Sequence, residues 1–418
     1  MAFLVVVAGS ALVLGACSSP TASPTTTTTR PSSPPNSPHL TPISQPPGPI
    51  PTQYQSQYGQ IQSEVDGFAS EVGTPQKQPS TTIGTELLAA NGNIGSGLLT
   101  SSAISGVTSE LDAFSALGVQ GVTVDVSFPL LVPTTPDSSE YLNFYEGVAQ
   151  QVQAHHMVLS VEENPVFSST PLTSLSISYA GLTIDTYAGE QRVQAQLIID
   201  DLHPTYLSLL DETDTFSDAL GIDINTPMAA VQVVTEELTG LNRGSTEVGA
   251  GTGTWTTPAI DQALLAHTSI DYLGVHVYPL GPAQIANLKT DVSAADAAGR
   301  GLVMDETWLD KPTAAEAAGA GPQGAPEELK VKSYSFWEPL DVKYVSAMAT
   351  YVRAQGFAYV SFFDGARAFF GYLTWSPQLD AASYPVFTRE YNQLVASNMR
   401  GLSVSSTGLE MQRVVKGT

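Results

Sequence analysis

Two strings in this chain end in carboxylates that could do chemistry together. They are Tyr206-Leu-Ser-Leu-Leu-Asp-Glu212 and Gly301-Leu-Val-Met-Asp-Glu306. Each is a short apolar run that stops at an Asp-Glu pair followed by Thr. A buried strand ending this way delivers its carboxylates to the rim of a packed interior, where they meet substrate. Two carboxyl groups held across such a rim can supply the acid and the nucleophile for cleaving a glycosidic bond. The bland alternatives are solvated strand ends for Glu212 and Glu306, and helix N-capping for Asp211 and Asp305.

The elements that would position these groups alternate along the chain. Strand-like runs stand at Thr82–Ala89, Val122–Ser127, Val158–Glu162, Tyr206–Leu210, Thr246–Gly249, Tyr272–Val277, Leu302–Met304 and Ala358–Phe363. Most are continuous apolar runs, as expected for parallel strands covered on both faces. Amphipathic stretches separate them, among them Ser105–Leu117, Glu140–Ala154, Ala188–Leu202 and Ala283–Ala298. Gly118, Gly299 and Gly356 fit the residue just past a helix end. Eight strands, each followed by a helix, predict an α/β fold of the (β/α)8 barrel type. An open doubly wound sheet would carry a glycine-rich turn after its first strand, and no G-x-G-x-x-G stands there. Ala90-Asn-Gly-Asn-Ile-Gly-Ser-Gly97 lacks the Lys-Ser/Thr of a phosphate loop and reads as a loop at the barrel mouth.

On that reading the strand ends gather Glu86, Asp125, Glu162, Glu163, Asn164, Asp211, Glu212, His276, Tyr278, Asp305, Glu306, Trp308, Phe363 and Asp364, with Trp337 as a further aromatic candidate. Such a mouth suits a neutral polyhydroxylated ligand: carboxylates accept hydroxyl protons and aromatic faces stack on sugar rings. His155 and His156 precede a strand, at the face that serves stability. A hard divalent cation would suit clustered Asp, Glu and His. The His-x-His pair or strand-end Lys of metal-using barrels is missing, so no metal or other cofactor is expected. Serine catalysis lacks its G-x-S-x-G elbow.

The placement of Glu212 after the fourth strand and Glu306 after the seventh resembles the clan A retaining glycoside hydrolases. The sixth strand, Asp271-Tyr-Leu-Gly-Val-His-Val-Tyr-Pro279, adds a His-x-Tyr-Pro segment similar to one in many members. The resemblance covers roughly residues 83–396. It implies that Glu212 is the acid/base and Glu306 the nucleophile. The reading of strand ends and aromatics makes Asp211, His276, Tyr278, Trp308, Asp125, Glu163, Asn164, Asp364 and Trp337 the candidates for contacting sugar. One departure stands out. Members usually place Asn before the acid/base, to donate to the sugar 2-hydroxyl; this chain has Asp211. Ionised, it can only accept. No arginine stands on an early strand near the nucleophile; Asp125 occupies a plausible place for it. A barrel that binds glycans without turnover is the competing reading, and Asp211 favours it.

Bulk properties bound the partners. The chain has 418 residues, a net charge of −24 and 13% charged residues, so a basic face for nucleic acid is not expected. Residues 1–17 read as a signal: an apolar run from Phe3 to Leu14, then Leu14-Gly-Ala-Cys17. This resembles the bacterial lipoprotein signal, with the chain's single cysteine, Cys17, as the lipidated residue. Residues 18–55, rich in Ser, Thr and Pro, read as a disordered tether. Residues 56–400 read as the barrel and 401–418 as a tail. The expectation is a carbohydrate-binding domain in the bacterial cell envelope, outside the cytoplasm, touching membrane through a lipid anchor alone.

Overall fold

The computed structural model describes residues 39–44, 46–72, 80–168, 170, 173–278, 280–313 and 330–417. Cys17 and most of the expected tether lie outside them. Eight parallel strands close into a barrel: β1 Thr82–Glu86, β2 Gly121–Asp125, β3 Val158–Glu162, β4 Tyr206–Ser208, β5 Glu247–Gly253, β6 Tyr272–Val277, β7 Gly301–Thr307 and β8 Tyr359–Phe362. Closure is made by β8 against β1, with Thr82 opposite Tyr359 and Thr85 opposite Phe362. Helices cover the outside, and the expected terminators hold: Gly118, Gly299 and Gly356 take φ of 84°, 65° and 80° at helix ends.

Side chains alternate across each strand, so every second residue enters the barrel. At the bottom, Tyr206, Tyr272 and Tyr359 come from alternate strands and pack on one another, ring centroids 5.7 Å apart for Tyr206 with each partner. They fill the interior as a layer, as barrels of this type require. Neighbouring strands make room with glycine. A Cβ at Gly84 would lie 2.3 Å from the Tyr359 hydroxyl, and one at Gly249 would lie 2.1 Å from the Tyr272 ring. One layer higher the interior turns polar, and near the top it carries Glu86, Asp125, Glu162 and Asp305, all buried.

A register shift sets the catalytic-type end. Gly274 pairs with Val303, but His276 pairs with Glu306, so β7 carries one extra residue over that interval. Such a bulge re-aims the side chains beyond it. Across it Asp305 and Glu306, consecutive in sequence, both turn inward, Asp305 to Ser208 and Glu306 to His276 and Tyr278.

Two expected boundaries need correction. The tether cannot extend to residue 55: Thr41–Pro42 pairs with Ser403–Val404, Tyr54 is buried, and a helix runs over Gln55–Val72. Residues 401–418 are not a loose tail: the helix Ser406–Lys416 buries Thr407, Met411 and Val414 against the barrel's outer layer. The two segments meet through the short strand pair, and the C-terminal helix packs its apolar face on the helices Glu338–Gln355 and Gly365–Phe370.

Candidate active site

The site is organised by a histidine. His276 leaves β6 into the mouth, where Nδ1 lies 3.0 Å from Glu212 Oε1 and 3.4 Å from Glu306 Oε2. Its Nε2 lies 3.5 Å from Glu162 Oε2, at ion-pair distance but out of hydrogen-bond alignment. The facing oxygens of Glu212 and Glu306 lie within 4.8 Å of each other. The Tyr278 hydroxyl donates to Glu306 Oε1. The resemblance had implied this grouping, and the geometry brings all four side chains together. Pro279, the end of the quoted segment, lies outside the described residues.

Burial alone would strip His276 of its charge, yet its contacts with Glu162 and Glu212, and the charge of Glu306, hold its pKa well above the usual histidine range. Glu306 is pushed well above the usual carboxylate range by burial and by Glu162 and Glu212, with His276 pulling the other way. Asp125 rises to about 7, through burial and then Glu162. Beneath the catalytic-type pair, Asn91 donates to both Glu86 Oε1 and Asp125 Oδ2. Asp305 accepts from Ser208 at 2.8 Å. Asp211, 2% exposed, has a buried oxygen without a hydrogen-bond partner.

Two constellations here have the composition of a metal site. Glu162, Asp211 and His276 each present a ligand atom within 4.8 Å of the others, and so do Glu212, His276 and Glu306. His276 is common to both: it hydrogen-bonds Glu212 and lies at ion-pair distance from Glu162 and Glu306, so a protonated imidazole supplies positive charge of the kind a metal would bring.

Other expected contacts sit elsewhere. Glu163 is fully buried beside Gln191 and Gln194, among the covering helices. The reason is alternation: with Glu162 inside the barrel, its successor points out. Trp308 is packed among Tyr344, Phe362 and Phe369, and Trp337 is stacked on Tyr58 beside Phe336. Neither has an exposed face for a sugar. Asn164 ties the loops after β2 and β3, accepting from Ser127 at 2.7 Å. Asp364 is held by Arg367 at 3.2 Å.

The tryptophan at the mouth is Trp255, which sequence reading missed. Its ring centroid is 5.8 Å from that of Tyr278, and Tyr278 meets Phe363 edge-on at 6.1 Å. Trp255 donates to Asp214 at 3.1 Å. The two line an open groove of about 620 Å³ with Ser217, Asp218, Asp223 and Asn225. Lys332, also missed, rests on the Phe363 ring at 4.5 Å.

Fold and site together define a (β/α)8 barrel with two carboxylates facing each other across its mouth. No protein family and no curated protein matches this chain. Solved structures do. The chain is similar to an exo-β-1,4-mannosidase from Opitutaceae bacterium strain TAV5, with TM-score 0.50 and 13% identity over 81% of this chain and 60% of that one. It is also similar to a β-glucosidase from Thermotoga maritima (TM-score 0.44, 12% identity, 69% and 88% covered) and a GH30 endoxylanase from Clostridium papyrosolvens C71 (0.42, 12%, 79% and 74%). At 13% identity the likeness to the mannosidase bears on the fold alone.

Proposed function

We propose that this chain is a glycoside hydrolase that retains configuration. The observation carrying the proposal is the approach of Glu212 and Glu306 to within 4.8 Å across one His276 nitrogen. Retaining enzymes hold their carboxyl groups about 5–5.5 Å apart, whereas inverting ones leave about 6.5–9.5 Å for a water. Glu306 attacks the anomeric carbon while Glu212 protonates the leaving oxygen; water activated by Glu212 then releases the sugar. Tyr278 and His276 hold the nucleophile by one hydrogen bond and one charge contact. The mannosidase that the chain resembles in fold cleaves a glycosidic bond, which supports the same class.

Azide rescue tests the division of roles. Glu212→Ala should lose natural substrates, still be glycosylated by aryl glycosides with good leaving groups, and give azide product with retained configuration. Glu306→Ala should be silent until azide restores turnover with inversion. Opposite stereochemistry would swap the roles.

A barrel that binds glycans without cleaving them is the second reading. Asp211 favours it: buried beside Glu212 with one oxygen lacking a hydrogen-bond partner among the described residues, it can hold a ligand without taking part in bond cleavage. Wild-type protein that binds glycans yet cleaves no aryl glycoside would establish it. The domain's place, in our reading, is the outer face of a bacterial membrane, held by a lipid on Cys17. Fatty-acid labelling that disappears in Cys17→Ser supports this; equal labelling of both removes it.

A further inference from the structure

Hydrolysis of a neutral sugar needs two carboxyl groups, and this mouth buries five more: Glu86, Asp125, Glu162, Asp211 and Asp305. Three have hydrogen-bond donors of their own, since Asn91 serves Glu86 and Asp125 and Ser208 serves Asp305. Glu162 faces His276. Asp211 is different. Its carboxyl accepts no hydrogen bond among the described residues, and one oxygen is closed off from solvent. It stands immediately before Glu212, with an oxygen within 4.8 Å of both Glu162 and His276. Burial opposes its ionisation, and so do Glu162, Glu212 and Asp305, while His276 favours it. His276 is already shared with Glu212 and Glu306. Lys332 and Arg367 belong to the Phe363–Asp364 side of the mouth.

A buried carboxyl without a partner must either keep its proton or meet a cation. A sugar hydroxyl brings one donor and no charge, whereas an ammonium brings three donors and the missing charge. The adjoining groove extends the pattern. Asp214, Asp218 and Asp223 line it beside Trp255, with no lysine or arginine among the lining residues. Acidic walls with an aromatic platform suit a chain of sugars that are themselves cationic.

We infer that the sugar bound at this mouth carries a free amino group, and that Asp211 receives it as the ammonium. The inference rests on the mouth being a sugar site; it does not require turnover. It replaces the neutral ligand expected from the sequence with an amino sugar, tested first at carbon 2, the carbon next to the bond that Glu212 and Glu306 flank.

The test compares p-nitrophenyl glycosides that differ only at carbon 2: amino, acetamido and hydroxy. Calorimetry with glucosamine oligomers, and with the matching N-acetylated and glucose oligomers, runs beside it. The wild type should prefer the amine by about 10- to 100-fold, the range of one charge-assisted hydrogen bond. Asp211→Asn should lose that preference, its affinities for the amino and hydroxy sugars converging to within about threefold of each other. Preferential binding of the amine without any turnover upholds the inference and removes the hydrolase reading. Turnover that ignores the carbon-2 group overturns the inference and upholds the hydrolase reading, and binding of no sugar at all overturns both. Loss of activity to a chelator, restored by a divalent ion, also overturns it, because the cation that Asp211 meets is then a metal. The wild-type comparison decides the matter even where Asp211→Asn fails to fold.

Discussion

The two ends of the barrel use the same alternation and finish their polar atoms in opposite ways. At the bottom, the Tyr272 hydroxyl meets Ser208 at 3.0 Å and the Tyr359 hydroxyl meets Thr123 at 3.1 Å, so large rings are buried with their polar tips satisfied. At the mouth, Glu86, Glu162, Asp211 and Asp305 each keep a buried oxygen without a hydrogen-bond partner among the described residues. Buried polar groups are normally paired, and each exception calls for an explanation. The bottom is built for stability. The mouth holds like charges together and leaves acceptors open, an arrangement that opposes folding and is useful only to a ligand.

Substitutions separate the two ends. The largest effect belongs to Glu306→Gln, which should abolish turnover while raising the melting temperature at pH 8. The folded protein holds this carboxyl's pKa well above its unfolded value, so the native state binds the extra proton. Stability therefore falls as pH rises past the ordinary carboxylate pKa, and the neutral amide escapes that loss. At pH 4 variant and wild type should melt together. A variant less stable at pH 8 would mean that Glu306 is held by its contacts with Tyr278 and His276 more than it is opposed by its neighbours. Next comes Tyr359→Ala at the bottom, which removes a buried ring and should lower stability by about 3–5 kcal/mol in denaturant unfolding. Its kcat, measured where the variant is still folded, should stay close to wild type. A large loss of kcat without loss of stability would erase the distinction between the ends.

Much of this was legible in sequence. The eight apolar runs and their spacing specify the barrel, and the paired carboxylates at the ends of two of them specify where its mouth lies. What escaped has physical causes. Strand β5 reads as ending at Gly249, because Gly249-Ala-Gly-Thr-Gly253 has poor strand propensity. It continues because glycine is required there: a Cβ at Gly251 would lie 1.7 Å from the Gly274 carbonyl oxygen. The missed residues 250–253 carry the chain to Trp255, and so the mouth's tryptophan was missed with them. Glu163 was misplaced although strict alternation after Glu162 would have turned it outward. The bulge in β7 leaves no local mark, since it depends on how Val303 to Glu306 pair with β6. Asn91 could have been found as a polar residue in a glycine-rich loop at a strand end.

A control for the comparison lies outside the barrel altogether. Asp261 and Asp291 are buried on neighbouring helices, Pro258–His267 and Pro282–Ala298, and each has an oxygen without a partner among the described residues. Thr252 donates to the other Asp261 oxygen at 2.8 Å. Burial raises Asp291 to about 7, and burial together with Asp291 raises Asp261 well above the carboxylate range. If unpaired carboxyls mark function wherever they occur, this pair should matter to activity. If only those at the mouth do, it should affect stability alone. With a folded pKa above the unfolded one, the native state holds the extra proton between about pH 4 and 7. Stability is therefore lost as pH climbs through that window, and the loss is complete above it. Asp291→Asn should raise the melting temperature at pH 8 by roughly 1–3 °C, leave it unchanged at pH 4, and leave kcat/KM unchanged at both. A fall in kcat/KM without a change in melting temperature would show that this pair communicates with the mouth through Thr252 and β5, and the line between the two kinds of buried carboxyl would then have to be drawn elsewhere.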